Sequence, residues 1–272
     1  RKNRSTAGGD FQNCSLGLLS WLKRPGGKFR QAKLLVGLIA KAPHICYVEP
    51  FCGAAHVFFA KPPSKIEVLN DLDGELINFF RCAPTVPDAV ARAVVALPHS
   101  RKLHSLLSRA EPDLFDPIQR AANFVYLVQH SFGGLPTAGV AYSKIETGCG
   151  IRSTVSIPEA IRACAARLDR VILECLDWRE VLKKYDAPTT FFYLDPPYLG
   201  ADVGYKHNLT EQDHRDLAAM LKSLKGRCLL TVGDSPLMRQ LYRGYPTRRL
   251  TTTQSLKKGL RGRFRQLIIR NY

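Results

Sequence analysis

Carboxylate side chains are scarce in this 272-residue sequence, which has 23 Asp and Glu against 40 Lys and Arg and a formal net charge of +17. None stands between Asp10 and Glu49, where six basic residues occur, and none follows Asp234, where ten occur. Hydrophobic residues make up 45% of the chain, too many for a disordered basic tail. The sequence therefore predicts a folded protein with a polyanionic partner, nucleic acid more readily than an acidic membrane surface.

Other features are absent, and each absence excludes a class of protein. No run of about 18–20 apolar residues occurs, so a membrane-spanning helix is not expected. The basic start Arg1–Arg4 is not followed by an apolar run and a cleavage site, so a signal peptide is not expected. The eight cysteines form neither a CxxC pair nor a zinc-ligand spacing with histidine. We therefore predict a cytoplasmic protein without a metal site, whose thiols are reduced and mostly buried.

Strand and helix signals alternate along the chain, which is typical of an α/β sheet with helices on both faces. The segment 84–169 differs, because its pattern is mostly helical and its strand signals are weak. We predict a poorly ordered N-terminal extension at 1–20, a sheet domain at 21–83 and 170–272, and a helical insert at 84–169. The predicted strands are Ile45–Glu49, Ile66–Leu69, Thr190–Leu194, Arg227–Val232 and Phe264–Ile269.

The sequence Asp195-Pro196-Pro197-Tyr198 follows an apolar strand, at the position where open α/β sheets bind ligands. The two prolines fix the backbone and remove two N–H donors, which leaves carbonyl oxygens beside a carboxylate and an aromatic ring. Asp195 and the Pro196 carbonyl can each accept one hydrogen of an exocyclic amine, and Tyr198 can stack on the ring that carries it. The alternative is a strand-ending turn with a packed tyrosine.

Three other turns carry candidate ligand-binding residues. The small-residue turn Glu49–Ala55 lets a cofactor approach the backbone, but it lacks the GxGxxG spacing of nicotinamide sites. Asp71 ends the second strand, where it either binds ribose hydroxyls or caps the next helix, and the sequence leaves both open. Lys28 follows Pro25-Gly26-Gly27, which is either a plain turn or a means of aiming the lysine at a carboxylate.

In this order, Pro-Gly-Gly-Lys, Glu-Pro-Phe-x-Gly, Asn-Asp and Asp-Pro-Pro-Tyr resemble the D12 class of N6-adenine-specific DNA methyltransferases, the Dam family. Asp213-His214 and the closing Leu267–Tyr272 add to a resemblance that covers about residues 21–272. It implies a Rossmann-like methyltransferase sheet with an inserted helical target-recognition subdomain. It also implies S-adenosylmethionine as the methyl donor and the N6 amine of adenine in DNA as the acceptor. We expect a monomer in a prokaryotic or phage-type host cytoplasm.

The resemblance implies roles for individual residues. Catalysis is implied for Asp195, Pro196, Pro197 and Tyr198. Cofactor contact is implied for Arg24, Lys28, Glu49, Phe51, Gly53, Asp71 and Asp195. Together with the basic C-terminal end, the resemblance implies DNA contact for Gln129, His130, Phe132, Lys257, Lys258 and Arg261.

The sequence departs from the family's pattern at four places. Arg24 replaces a frequent Trp, Ala55 replaces a second Gly, Gln129-His130 replace Asn-Arg, and Gln266 replaces Glu. Ala55 is small, so we expect it to be tolerated, whereas Arg24 and Gln129-His130 bear on cofactor contact and on DNA sequence preference. The alternatives to adenine methylation in DNA are cytosine-N4 methylation, RNA-adenine methylation and a catalytically silent DNA-binding relative.

Overall fold

The computed structural model describes residues 22, 24, 26–135, 139–140, 156–200, 207–255 and 261–272. These residues divide into two compact units, each assembled from separate stretches of the chain. Unit 1 contains the described residues of Arg1–Val36, Gly53–Pro62 and Gly74–Leu173. Unit 2 contains those of Gly37–Cys52, Pro63–Asp73 and Glu174–Tyr272. The predicted extension at 1–20 lies outside the described residues.

The strands within the described residues form one sheet, most of which belongs to unit 2. They are β1 Cys46–Glu49, β2 Ile66–Asn70, β3 Ile172–Glu174, β4 Thr190–Leu194, β5 Arg227–Gly233, β6 Thr247–Ser255 and β7 Arg261–Arg270. Their order is β3-β2-β1-β4-β5-β7-β6. The pairs β2–β1, β1–β4 and β4–β5 are parallel, whereas β7 is antiparallel to both β5 and β6. The carboxyl ends of β2, β1, β4 and β5 therefore lie along one edge of the sheet.

Side-chain caps mark the start of several of the α-helices. They are α1 Ala32–Ile39, α2 His56–Ala60, α3 Gly74–Thr85, α4 Pro87–Val95, α5 Arg101–Leu107, α6 Pro117–His130, α7 Ile157–Leu168, α8 Trp178–Tyr185, α9 Glu211–Ser223 and α10 Pro236–Leu241. The side chain of Asp116 accepts hydrogen bonds from two backbone N–H groups at the start of α6. Thr210 and Asp213 form the reciprocal capping pair at the start of α9. Such pairs satisfy backbone donors that the first turn leaves open.

The core of unit 2 lies between one face of the sheet and its helices. Phe192, Leu194 and Leu230 alternate with residues of the opposite face, and each has no exposed surface. Leu217 and Leu221 of α9 pack against this face at one-turn spacing. Because these strands are covered on both faces, they read as continuous apolar runs in the sequence, and this made them recognisable.

Unit 1 is mainly helical. Helix α3 packs against α6 and α7, and α4 packs against the same two helices. The rings of Phe79 and Phe124 stack between α3 and α6 with centroids 5.9 Å apart. The described part of 84–169 is therefore helical, as its sequence pattern predicts.

The five predicted strands are confirmed, with β7 beginning three residues earlier than expected. Two further strands, β3 and β6, were not predicted. β3 was missed because it has only three residues and the sequence on either side of it favours a helix. β6 has only Leu250 as an apolar residue, and Thr247, Arg248 and Arg249 are exposed on it. It forms through backbone pairing with β7 at the edge of the sheet, and that pairing leaves little trace in side-chain hydrophobicity.

Candidate active site

The carboxyl ends of the parallel strands in unit 2 carry acidic residues that the motifs predict. Glu49 is the last residue of β1, Asp71 directly follows β2, and Asp195 directly follows β4. These three strands are neighbours in the sheet, so each of three adjacent strand ends carries a carboxylate. In a chain with a net charge of +17, this acidic edge suits a ligand that brings ammonium and hydroxyl donors.

Asp195 is half-buried and receives two hydrogen bonds on the same carboxylate oxygen, Oδ1. The Thr231 hydroxyl lies 2.6 Å from it and the Tyr198 hydroxyl 3.3 Å from it. The Tyr198 hydroxyl also lies 3.1 Å from Oε1 of Gln266, a residue that is 1% exposed. Burial and the charge of Asp195 raise the pKa of Tyr198 well above its usual value, so the phenol stays protonated and donates.

A cavity of about 470 Å³ opens beside Tyr198. The Tyr198 ring is parallel to the ring of Phe264, with centroids 5.6 Å apart and 8° between the planes. Gly233 lies next to both rings, and a Cβ at that position would touch them at 3.7–3.8 Å. His214 also lines the cavity and is fully buried, which lowers its pKa and keeps the imidazole neutral. An aromatic cavity next to a carboxylate can hold a planar ring that bears an amine.

The neighbouring strand ends are held in place by buried hydrogen bonds. Glu49 is 1% exposed and accepts a hydrogen bond of 2.7 Å from the Tyr47 hydroxyl. Burial, followed by the charge of Glu49, raises the pKa of Tyr47 well above its usual value. Phe51 is half-buried, with its ring centroid 6.1 Å from that of Trp178. Asp71 accepts a 3.0 Å bond from the Asp73 N–H and so shapes the turn before α3.

Within unit 1, the Gly-Gly-Lys turn is tightly packed. The Lys28 side chain is 6% exposed, and its Nζ donates to the Gly26 carbonyl at 2.9 Å. A Cβ on Gly27 would lie 2.5 Å from Cε1 of the buried His56 ring. Glycine is therefore needed at that position for steric reasons.

The second half of the Glu49–Ala55 turn also lies in unit 1. Gly53 and Ala55 have φ angles of 49° and 51°, both in the left-handed region. Ala55, which has a Cβ, adopts this conformation at a cost of about 1–2 kcal/mol. The Arg24 guanidinium lies over the ring of Phe124, 5.7 Å from its centroid, and makes a cation–π contact there.

The residues predicted to contact DNA have different surroundings. Gln129 and His130 lie in the last turn of α6 and are 9% and 4% exposed. The His130 ring stacks on Tyr126 at 4.2 Å, and its Nδ1 lies 2.8 Å from the Tyr126 carbonyl. The backbone of Phe132 begins a short 3-10 turn, and that of Arg261 begins β7. Lys257 and Lys258 lie outside the described residues, and DNA contact remains a prediction for all six.

Sequence patterns did not identify several residues of this site. Thr231, Gly233 and Phe264 lie far along the chain from Asp195 and belong to no motif. Gln266 was noticed only as a departure from the family pattern. The sole signal for these residues is that polar and aromatic side chains interrupt otherwise apolar strands at positions 231, 264 and 266.

The sheet order, with its antiparallel seventh strand, is typical of the S-adenosylmethionine-dependent methyltransferase fold, and the Asp-Pro-Pro-Tyr corner follows its β4 strand. The sequence pattern of the family described as "D12 class N6 adenine-specific DNA methyltransferase" matches residues 25–256. The chain belongs to this family. It is an adenine-specific DNA methyltransferase, and S-adenosylmethionine is its methyl donor.

Individual relatives agree with this family. Type II methyltransferase M.CviBI of Paramecium bursaria Chlorella virus NC1A is 27% identical over 235 residues, covering 82% of this chain and 86% of that protein. The DNA N-6-adenine-methyltransferase of Escherichia phage P1 is 24% identical over 241 residues, covering 82% of this chain and 31% of that protein. DNA adenine methylase of Escherichia coli (strain K12) is 24% identical over 237 residues, covering 82% and 84%.

Proposed function

We propose that the target adenine leaves the DNA duplex and enters the cavity beside Tyr198, where Asp195 and the Pro196 carbonyl accept its two amine hydrogens. The observation that carries this proposal is that Tyr198 lines, with Phe264, a cavity of about 470 Å³ and is also hydrogen-bonded to the fixed Asp195 carboxylate at the end of β4. An adenine inside a duplex cannot be reached, and extruding it costs a few kcal/mol. Stacking on Tyr198 offsets about 1–3 kcal/mol of this cost.

The two acceptors act on the amine nitrogen. Its lone pair is delocalised into the adenine ring, and hydrogen bonds to both hydrogens favour a pyramidal nitrogen whose lone pair is available. Asp195 also stabilises the positive charge that develops on the nitrogen during transfer. The proton leaves after transfer, when the amine has become acidic, so Asp195 need not act as a strong base. Bound S-adenosylmethionine supplies the methyl group, activated by its sulfonium charge.

Within unit 2, we propose that Glu49, Phe51, Asp71 and Asp195 contact the cofactor. Their carboxylates are suited to the ammonium and ribose hydroxyl groups of S-adenosylmethionine, and the half-buried Phe51 ring is suited to its adenine. The acidic edge described above supports this assignment. The roles of Arg24, Lys28 and Gly53 stay predictions from the family pattern.

We further propose that two arginines held by Asp234, a residue that lines the cavity, bind DNA phosphates. The buried Asp234 carboxylate, 4% exposed, lies 2.6 Å from Nε of Arg239 and 3.8 Å from Nε of Arg249. One carboxylate therefore orients two largely exposed cations, which leaves a local positive charge. Arg249→Gln should weaken DNA binding and lower the slope of log affinity against log salt by about 0.9. A fluorescence titration at several salt concentrations measures both, and an unchanged slope would contradict a phosphate contact.

The other finer assignments rest on the family and its relatives. We propose that the helical segment 84–169 recognises the target sequence and that the protein acts as a monomer in the cytoplasm of a prokaryotic or phage-type host. The similarity to a type II methyltransferase supports a place in a restriction–modification system. In the described residues, none of the helices has the length and apolar character needed to cross a membrane.

The test is methylation of unmethylated DNA with tritiated S-adenosylmethionine, followed by digestion to nucleosides. Label in N6-methyladenine is expected, and Asp195→Ala should abolish it while DNA affinity stays close to that of the wild type. Label in N4-methylcytosine would favour a cytosine-N4 methyltransferase, and label only with RNA would favour an RNA-adenine methyltransferase. DNA binding without product would favour a catalytically silent DNA-binding relative. Equal loss of binding and activity in Asp195→Ala would contradict the separate roles given to the pocket and the basic surface.

A further inference from the structure

The carboxylate of Asp195 is held by the protein's own hydroxyl groups. Oδ1 has two lone pairs, and two donors point at it, the hydroxyls of Thr231 at 2.6 Å and Tyr198 at 3.3 Å. A carboxylate fixed through one oxygen cannot rotate freely about its Cβ–Cγ bond. The orientation of the carboxylate is therefore set before any substrate arrives.

The two donors are not equivalent. A distance of 2.6 Å is that of a charge-assisted O–H···O⁻ bond, which is roughly twice as strong as a neutral one. The Tyr198 hydroxyl has a single hydrogen and two acceptors, because its oxygen lies 3.1 Å from Gln266 Oε1 and 3.3 Å from Asp195 Oδ1. Thr231 has two other neighbours, the Leu194 carbonyl at 3.4 Å and the Tyr193 hydroxyl at 3.5 Å. The shortest contact goes to Asp195, so the Thr231 hydrogen points there.

Thr231 is placed by the sheet rather than by the loop that it supports. The parallel register pairs Leu194 of β4 with Leu230 of β5, and the next residues in register are Asp195 and Thr231. Thr231 has no exposed surface, and the Tyr193 phenol beside it is 2% exposed. Burial raises the pKa of Tyr193, so this phenol remains protonated and can donate to the Thr231 oxygen. The Thr231 hydroxyl thus stands between a donor on one side and the Asp195 carboxylate on the other.

We propose that Thr231 is a positioning residue for methyl transfer, whose hydroxyl occupies Oδ1 of Asp195 and turns Oδ2 towards the adenine amine. This inference rests on the proposed role of Asp195 as an amine acceptor. Thr231 itself does not touch the substrate, so its effect appears in the rate of transfer and not in binding. Catalytic groups must be held close to their productive geometry, and a displacement of about 1 Å can cost 10²-fold in rate.

The test compares Thr231→Val, which keeps the shape and removes the hydroxyl, with Thr231→Ser, which keeps the hydroxyl. The measurement is the single-turnover rate of N6-methyladenine formation on a DNA that the wild type methylates. Thr231→Val should transfer about 10–100-fold more slowly, with nearly unchanged affinity for DNA and for S-adenosylmethionine. Thr231→Ser should restore most of the rate.

A matched control is Thr190→Val, which removes another buried threonine hydroxyl. Thr190 is the first residue of β4, at the end of that strand away from Asp195. Thr190 is 2% exposed, and its hydroxyl donates to the Tyr185 carbonyl at 2.8 Å. This control should lose stability and keep its rate. A Thr231→Val rate equal to that of the wild type would overturn the positioning role. So would equal losses in Thr231→Val and Thr231→Ser, or a loss of cofactor binding as large as the loss of rate.

Two outcomes keep this proposal separate from the function on which it rests. If the wild type forms no N6-methyladenine, the proposed function fails. If the wild type is active and Thr231→Val is equally active, only the positioning role fails. If Thr231→Val does not fold, the single-turnover rates of Thr231→Ala and Thr231→Ser are compared instead, because these two variants also differ in the hydroxyl. Misfolding of both hydroxyl-free variants would assign Thr231 a structural role and overturn the proposal.

Discussion

Asn70 should be among the most sensitive polar residues at the acidic edge of the sheet. It is the last residue of β2 and is 1% exposed. Its Nδ2 donates to the Pro50 carbonyl at 2.9 Å and to the Leu176 carbonyl at 3.0 Å, and its Oδ1 accepts from the Leu176 N–H at 2.8 Å. One side chain therefore joins the ends of β2 and β1 to the segment that precedes α8.

Replacing Asn70 with Ala removes three hydrogen bonds and leaves their backbone partners inside the protein. At about 1 kcal/mol per bond, the free energy of unfolding should fall by about 3 kcal/mol. Asn78→Ala is the control, because within the described residues the Asn78 side chain makes one amide-to-carbonyl bond, an exposed one to the Pro117 carbonyl at 2.9 Å, and otherwise accepts only a 3.8 Å contact from the Cys82 thiol. The control should lose about 1 kcal/mol.

Urea unfolding followed by circular dichroism measures both variants, and calorimetric titration with S-adenosylmethionine measures the binding consequence. Asn70→Ala should bind the cofactor more weakly than Asn78→Ala, since Glu49, Phe51 and Asp71 lie directly beside the bonds that it loses. Equal stability of the two variants would contradict the contribution assigned to the three bonds of Asn70. If Asn70→Ala is less stable but binds S-adenosylmethionine as tightly as the wild type, these bonds stabilise the fold and do not contribute to cofactor binding.

Gly27→Ala should lose about 1–3 kcal/mol of stability, because the new Cβ meets the buried His56 ring. Gly37→Ala is the control: its Cβ meets nothing within 4 Å on a helix, so it should gain about 0.5–1 kcal/mol, and thermal unfolding distinguishes the two. Stability should also fall between pH 7.5 and 5.5, because burial lowers the pKa of three histidines in the folded state while the unfolded chain takes up protons near pH 6.5. These are His104, His130 and His214. Urea unfolding at both pH values checks this, and equal stability at the two would contradict neutral, buried imidazoles.

Local patterns in the chain were sufficient for much of the fold. The strands β1, β2, β4 and β5 are short apolar runs that end at turn residues, and their regular alternation with helices indicated an α/β sheet. The pair Thr210 and Asp213 at the start of α9 is also a local pattern, because a capping pair involves only four consecutive residues. The edge strand β6 was missed, since it depends on pairing with β7 and carries a mixed polar sequence.

The candidate site divides in the same way. Asp195 to Tyr198 are contiguous and follow a recognisable strand, so a local motif was enough to identify them. Thr231 of β5 reaches the Asp195 carboxylate from 36 residues further along the chain. Gln266 of β7 reaches the Tyr198 phenol from 68 residues further along. No spacing rule along the chain links them to the motif. The burial of Gln129 and His130 could not be predicted from the sequence either, because neighbouring helices cover them.

By itself, the sequence determined the class of sheet, the position of the Asp-Pro-Pro-Tyr corner, the family and the excess of positive charge. Each of these is a property of contiguous residues or of composition. Only the tertiary structure decided which side chains hold that corner and which ring faces Tyr198. It also decided which oxygen of Asp195 accepts hydrogen bonds from the protein's own hydroxyl groups. The physical reason is strand register: pairing of β4 with β5 and of β5 with β7 brings distant residues within hydrogen-bond distance.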